Sequence, residues 1–128
     1  MSAHAAVHGI LLANTAVSGL VGSRIYPSVL PQGVTYPAIS YEQIHGSEAT
    51  GPQAYRGLFR ARFQVSIFAR DRAGSIALAA AVSAALKRYR GTVAGVPVSD
   101  VFIDDSIDLF DPESGVYFIA QEYRIYHR

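Results

Sequence analysis

The residue groups that could carry chemistry are few, and each is incomplete. His4 and His8 stand four apart, the spacing that sets two imidazoles on one helix face for zinc. No glutamate follows His4 and the chain has no cysteine, so a third ligand would have to come from His45 or a carboxylate. Two solvated histidines near the N-terminus are the plainer reading. Asp104-Asp105-x-x-Asp108 offers the oxygen ligands that magnesium prefers, and a small metal-dependent hydrolase built on Asp104 and Asp108 would need His45 or Glu42 to converge on them. On a regular strand Asp104 and Asp108 share a face while Asp105 points away. There is no nearby catalytic lysine, EF-hand pattern, glycine-rich phosphate loop or nucleophile elbow. The residues therefore predict no catalytic site, no metal and no cofactor, and an acidic strand that faces solvent or a partner.

Arg60 and Arg62 alternate with Phe59 and Phe63, inviting comparison with strands that bind single-stranded nucleic acid. The alternation argues against it, because the rings fall on the side opposite the arginines and belong to the core. The net charge of +1 gives no general attraction to phosphate.

That near-neutral total hides a segregation. Residues 56–90 carry eight bases (Arg56, Arg60, Arg62, Arg70, Arg72, Lys87, Arg88, Arg90) against one acid, Asp71, whereas residues 100–113 carry six acids (Asp100, Asp104, Asp105, Asp108, Asp111, Glu113) and no base. Ten of the eleven bases are arginine, whose planar fork pairs with carboxylates and keeps its charge when partly desolvated. Two readings stand side by side. Unlike blocks on one subunit let copies pair head to tail and close into a ring. Alternatively, the blocks neutralise each other across adjacent strands of one subunit.

The elements that position these groups follow from periodicity. At 128 residues, half of them hydrophobic and 16% charged, the chain predicts one folded domain spanning 1–128. Its apolar runs are far shorter than a membrane span needs, so no membrane partner is expected. Apolar spacing predicts a first helix over residues 2–20. Arg24-Ile25-Tyr26-Pro27 reads as a short extended piece leading into a connection rich in proline and glycine, Pro27 to Pro37. Ala38 to Ile44 alternates as a half-buried strand. His45 to Gly57, with three glycines and a proline, reads as a long loop, either functional or merely tolerated at the surface. Its candidate partner-binding residues are His45, Gly46, Ser47, Glu48, Gly51, Tyr55 and Arg56.

Leu58 to Ala69 is the clearest strand, with Phe59, Ala61, Phe63, Val65, Ile67 and Ala69 on one face. Asp71 caps a predicted helix from Ala73 to Tyr89, its stripe starting at Ile76 with Ala79, Ala80, Ser83 and Leu86, stopped by Gly91 and with Lys87, Arg88 and Arg90 in the last turn. Strands follow over Val93–Val98 (around a Gly95/Pro97 turn), Asp100–Phe110 and Val116–Tyr126, the last two joined by Asp111-Pro-Glu-Ser-Gly115. The order α-β-β-α-β-β(-β) defines an α+β fold, a largely antiparallel sheet backed by two helices.

Taken in order, these segments resemble the tail-completion or tail-terminator proteins of long-tailed bacteriophages and related gene-transfer particles. The resemblance is carried by the first helix ending in Leu20-Val21-Gly22, by Arg24-Ile25-Tyr26-Pro27, by Leu30-Pro31-Gln32-Gly33 and by Tyr36-Pro37-Ala38-Ile39-Ser40-Tyr41. The glycine-bearing loop, Phe63-Gln64-Val65-Ser66-Ile67-Phe68-Ala69, the alanine-rich helix and the closing Tyr117–Tyr126 strand complete it, over nearly the whole chain. It implies a non-enzymatic virion protein assembled in the host cytoplasm. Such a protein forms a ring, typically a hexamer of itself, on the last ring of the tail tube protein, where it stops polymerisation and offers a surface to the head connector or head-closure protein. DNA passes through its channel without specific binding. A neck or head-closure ring on the connector side is the alternative position. The family carries no catalytic residues. From charge and alternation, Arg60, Arg62, Arg70 and Arg72 are expected to meet Asp104, Asp105 or Asp108 of a neighbour. The competing use of the same acids is to line the channel, where they give phosphates nothing to hold.

Overall fold

Asn14 divides what the spacing presents as one helix. In the computed structural model, which describes residues 3–48 and 58–128, the N-terminal segment forms α1 (Ala3–Ala13) and α2 (Thr15–Val21), set at 83° to each other. Asn14 is extended (φ −79°, ψ 120°) and its side-chain oxygen accepts the Val17 N–H at 3.1 Å, so it caps α2 instead of continuing α1. Asparagine competes with the helix for backbone donors, which makes it a better cap than an interior residue. Ala6, Val7, Ile10 and Leu11 from α1 and Val17 and Val21 from α2 are buried, whereas Ala13 and Leu20, expected on the same stripe, are exposed because the break turns α2.

The chain then lays down β1 (Ile25–Pro27), β2 (Ala38–Glu48) and β3 (Phe59–Ala69), crosses over as α3 (Arg72–Leu86), and returns as β4 (Gly91–Val93), β5 (Val96–Asp111) and β6 (Val116–His127). The strands form one sheet in the order β1-β2-β3-β6-β5-β4, parallel only between β1 and β2. This is the expected α+β class with a largely antiparallel sheet, backed by three helices where two were predicted. Two boundaries move. β2 runs on to Glu48, so His45, Gly46, Ser47 and Glu48 belong to a strand and not to the predicted loop, while Gly51, Tyr55 and Arg56 lie outside the described residues. The turn placed at Gly95/Pro97 is made by Ala94 and Gly95, both with positive φ, and Pro97 sits within β5.

α3 begins as predicted, with the Asp71 carboxylate accepting the Gly74 N–H at 2.6 Å, but its buried stripe is Ser75, Leu78, Ala79, Val82, Ala85 and Leu86. Ile76 and Ala80, expected inside, face outward, Ile76 with 52% exposure. The stripe that starts at Ser75 carries Leu78, Val82 and Leu86 at four-residue spacing, and its greater apolar bulk decides the rotation. The helix stops at Leu86 because Lys87 leaves helical geometry and Arg88 adopts φ 60°, its N–H bonding to Val101 O at 2.8 Å. Lys87, Arg88 and Arg90 therefore lie beyond the last turn and are not dipole partners.

All three helices lie on one face of the sheet, where Phe63, Val65, Ile67, Tyr123 and Ile125 are fully buried. Inside this core a polar relay ties β6 to α3: the Tyr123 hydroxyl donates to Gln121 Oε1 at 2.7 Å, and Gln121 Nε2 donates to Ala79 O at 3.3 Å. Burial pushes the Tyr123 phenol far up, against a smaller opposing effect of a hydrogen bond from Ser83. Among the described residues no helix covers the other face.

Candidate assembly surfaces

Register places the charged side chains. Across the open face Arg62 lies opposite Arg124 and Arg60 opposite Tyr126, while on the other side of β6 Phe102 lies opposite Arg124. The two arginines side by side are tolerable because each has an acid. Arg62 Nη2 is 3.0 Å from Glu122 Oε1, and Arg124 Nε donates to both oxygens of Asp104 at 3.1 Å. The Arg124 guanidinium also lies 5.2 Å from the Phe102 ring centre and bonds to the Tyr126 hydroxyl. Those bonds, that to Asp104 first, hold its pKa above the ordinary arginine value. His45, Arg60, Arg62, Asp104 and Arg124 line a shallow concavity of about 430 Å³.

Asp104 reaches this face because β5 carries a bulge between Ile103 and Asp105. The extra residue shifts the alternation by one, so Asp104 and Asp105 both belong to the open side, Asp105 opposite Glu122. Asp108, opposite Ile119, turns to the helix side, where it lies 3.9 Å from Arg72. The expectation that Asp104 and Asp108 share a face is thus overturned. A hydrolase built on those two carboxylates has no common site. Among the described residues no three metal-ligating side chains converge. His8 Nδ1 sits 3.1 Å from the Tyr41 hydroxyl, and His4 packs edge-on against Phe63.

The predicted interface residues therefore separate. Arg60, Arg62, Asp104 and Asp105 are on the open face. Arg72 and Asp108 are beside the start of α3, with the Arg72 guanidinium over the Tyr117 ring and donating to Leu109 O. Arg70 stacks on Tyr36. At the far end of β5, Asp100 accepts a hydrogen bond from Arg90 at 3.2 Å and pairs with the Arg88 guanidinium at 3.0 Å. Desolvation tends to raise the Asp100 pKa, but the Arg90 hydrogen bond, the Val101 N–H and the two guanidinium charges outweigh it and hold the carboxyl below its usual value.

Part of the charge segregation is thus neutralised within one subunit, as the second reading of the blocks expected. The remainder is not. Among the described residues Arg60, Arg70 and His45 have no carboxylate partner, and Asp105, Asp111 and Glu113 have no basic one. Sequence reasoning missed Glu122, Arg124, Phe102 and Tyr126. The alternation of Glu122, Arg124 and Tyr126 on the polar side of β6 was a signal, but their proximity to Arg62 and Asp104 depends on register.

The described residues thus form an α+β module: a six-stranded sheet covered by helices on one face, with paired and unpaired charges on the open one. The family model for tail completion protein gp17 matches residues 5–128, and the chain belongs to that family, a structural protein of the virion tail. The fold is similar to that of a chain in the virion of a native gene transfer agent particle, with a TM-score of 0.75 and 20% identity over 94% of this chain and 90% of that one. No curated protein sequence matches the chain.

Proposed function

We propose that the protein closes the tail tube as a ring of its own copies, six in number, that stops tube polymerisation and presents the surface on which the head joins. Family membership supports the place in the tail. The observation that carries the ring is the charge left over among the described residues after internal pairing: Arg60 and His45 at the end of the sheet where β3 begins, and Asp111 and Glu113 at the tip of the β5–β6 hairpin at the opposite end, with Asp105 between them on the open face. Unlike patches at different places on one subunit favour head-to-tail contacts, which close when the rotation permits. Each exposed pair contributes only about 0–1 kcal/mol, so charge selects the geometry more than it holds it. Arg62, Arg72, Asp104 and Asp108 serve the interface from within, held in place by Glu122, Asp108, Arg124 and Arg72 respectively.

Light scattering at low and high salt, with and without purified tail tubes, tests this. A species of six subunits that dissociates in salt is expected. A chain that stays monomeric and ignores tail tubes would overturn the reading.

A further inference from the structure

Both outer edges of the sheet are only half occupied. β1 pairs with β2 at Ile39–Tyr41, and the edge of β2 from Glu42 onward has no strand beside it among the described residues. β4 pairs with β5 at Val96–Val98, and Asp100–Asp111 is likewise free. A long free edge with exposed apolar side chains is a template for another strand. Ile107 (49% exposed), Leu109 (43%) and Phe110 (46%) line the β5 edge among Asp104, Asp105 and Asp108. Ile44 (46%), put out of register by the bulge between Gln43 and His45, marks the free β2 edge, between Glu42 and His45.

We propose that the sheet continues from one copy of this chain to the next, the β5 segment Asp104–Asp111 of one copy adding antiparallel to the free β2 edge of its neighbour. The proposal rests on the head-to-tail reading above and names the surfaces it uses. Strand direction supports it. β2 is antiparallel to β3, β3 to β6 and β6 to β5, so β2 and β5 of one subunit run in opposite directions. A second copy brought alongside by rotation, with its open face on the same side, therefore offers β5 to β2 as an antiparallel pair without being turned over. Charge selects the partner. Two β5 edges would set aspartates against aspartates, a pairing that like charges disfavour. Beside the part of β2 that β1 leaves free, with Asp111 of the incoming strand level with Glu42, Leu109 meets His45 and Phe110 comes level with Gln43 and Ile44, apolar edge against apolar edge. The Ser106 N–H is held by the Asp105 carboxylate at 2.9 Å in the single subunit, a local bond that gives way to a ladder bond on pairing.

The chain has no cysteine, so introduced thiols report on the contact alone. His45→Cys is combined in turn with Asp105→Cys, Ile107→Cys and Leu109→Cys, all exposed positions on the open face and spaced to sample three registers. After oxidation at low salt, on tail tubes and in their absence, one combination is expected to convert most of the monomer into a ladder of covalent multimers, and the single-cysteine variants none. Cross-linking of a β5 cysteine variant to itself would overturn the proposal in favour of an isologous contact. Multimers seen by light scattering but never cross-linked would overturn it while leaving the ring intact. A monomer under every condition would remove the ring and the proposal together.

Discussion

Replacing Tyr123 with phenylalanine removes one oxygen from an enclosed polar relay. Tyr123 is fully buried and Gln121 nearly so. The hydroxyl satisfies Gln121 Oε1, and the same glutamine uses its amide N–H to hold the Ala79 carbonyl of α3. Tyr123→Phe changes the volume little and leaves Gln121 Oε1 without its donor, which costs about 1–3 kcal/mol for a buried acceptor. Gln121→Leu takes away the acceptor of the Tyr123 hydroxyl and the bond that ties β6 to the Ala79 carbonyl, and should cost a similar amount. The double variant Tyr123→Phe/Gln121→Leu removes donor and acceptor together. It should recover a good part of the combined loss, so the two single costs do not add. Urea unfolding followed by circular dichroism, at a salt concentration that keeps the protein monomeric, measures all four forms. With a slope of about 1–3 kcal/mol per molar urea, each single change lowers the midpoint by about 0.5–2 M. Additive single costs, or a Tyr123→Phe protein within about 0.5 kcal/mol of the parent, would refute the relay as a coupled unit.

Asn14→Ala should cost about 1 kcal/mol through loss of the α2 cap, read as a lowered thermal midpoint, with Asn14→Asp retaining most of the stability. Arg60→Glu should weaken assembly in light scattering while leaving the monomer's stability within about 0.5 kcal/mol, since Arg60 has no carboxylate partner among the described residues of its own subunit. Burial depresses the His127 pKa, despite an opposing backbone hydrogen bond at Arg128, so the unfolded chain takes up that proton first. Stability should therefore fall as pH drops below about 6.5, and His127→Phe should remove that part of the pH profile. The depressed Asp100 pKa works the same way further into acid: its contribution is complete above about pH 4, is lost as pH falls through the folded value, and should vanish from the profile in Asp100→Asn.

The alternation of Leu58–Ala69 placed β3 and its buried face from Ala61 to Ala69 correctly, because the period of a strand depends on nothing beyond the strand, but Phe59, expected in the core, is 41% exposed near the strand's free end. Asp71 was legible as a cap for the same reason. Asn14 was equally local, but its cap lay inside an apolar stripe that continues through both α1 and α2, so periodicity masked the break. Ile76 misled because a single large residue outweighed Leu78, Val82 and Leu86, which together fix the helix face. The bulge at Asp104 left no local mark, and one extra residue was enough to send Asp104 and Asp108 to opposite faces. Arg124 and Glu122 lie some sixty residues from Arg62, and only the pairing of β3 with β6 joins them. The charge blocks were visible as blocks. Which of their members cancel at home and which remain for a neighbour depends on register.

The two shortest strands have a consequence out of proportion to their three residues each. β1 closes one end of the first edge and β4 the opposite end of the last, so the sheet has the outline of a parallelogram. Register places Glu42 level with Gln64, Glu122 and Asp105. Two copies set side by side at equal height would drive β1 of one into the Ser106–Asp111 stretch of the other. To mate along the whole free length of β5, the second copy has to slide by about six residues, or about 20 Å at 3.3 Å per residue. Repeated without correction, that slide builds a staircase with no last step. A closed ring has to return it by leaning the strands against the ring axis, as shear and tilt are linked in a barrel. Under the proposed role of closing the tail tube, the lean of the strands would then decide whether the assembly itself comes to an end.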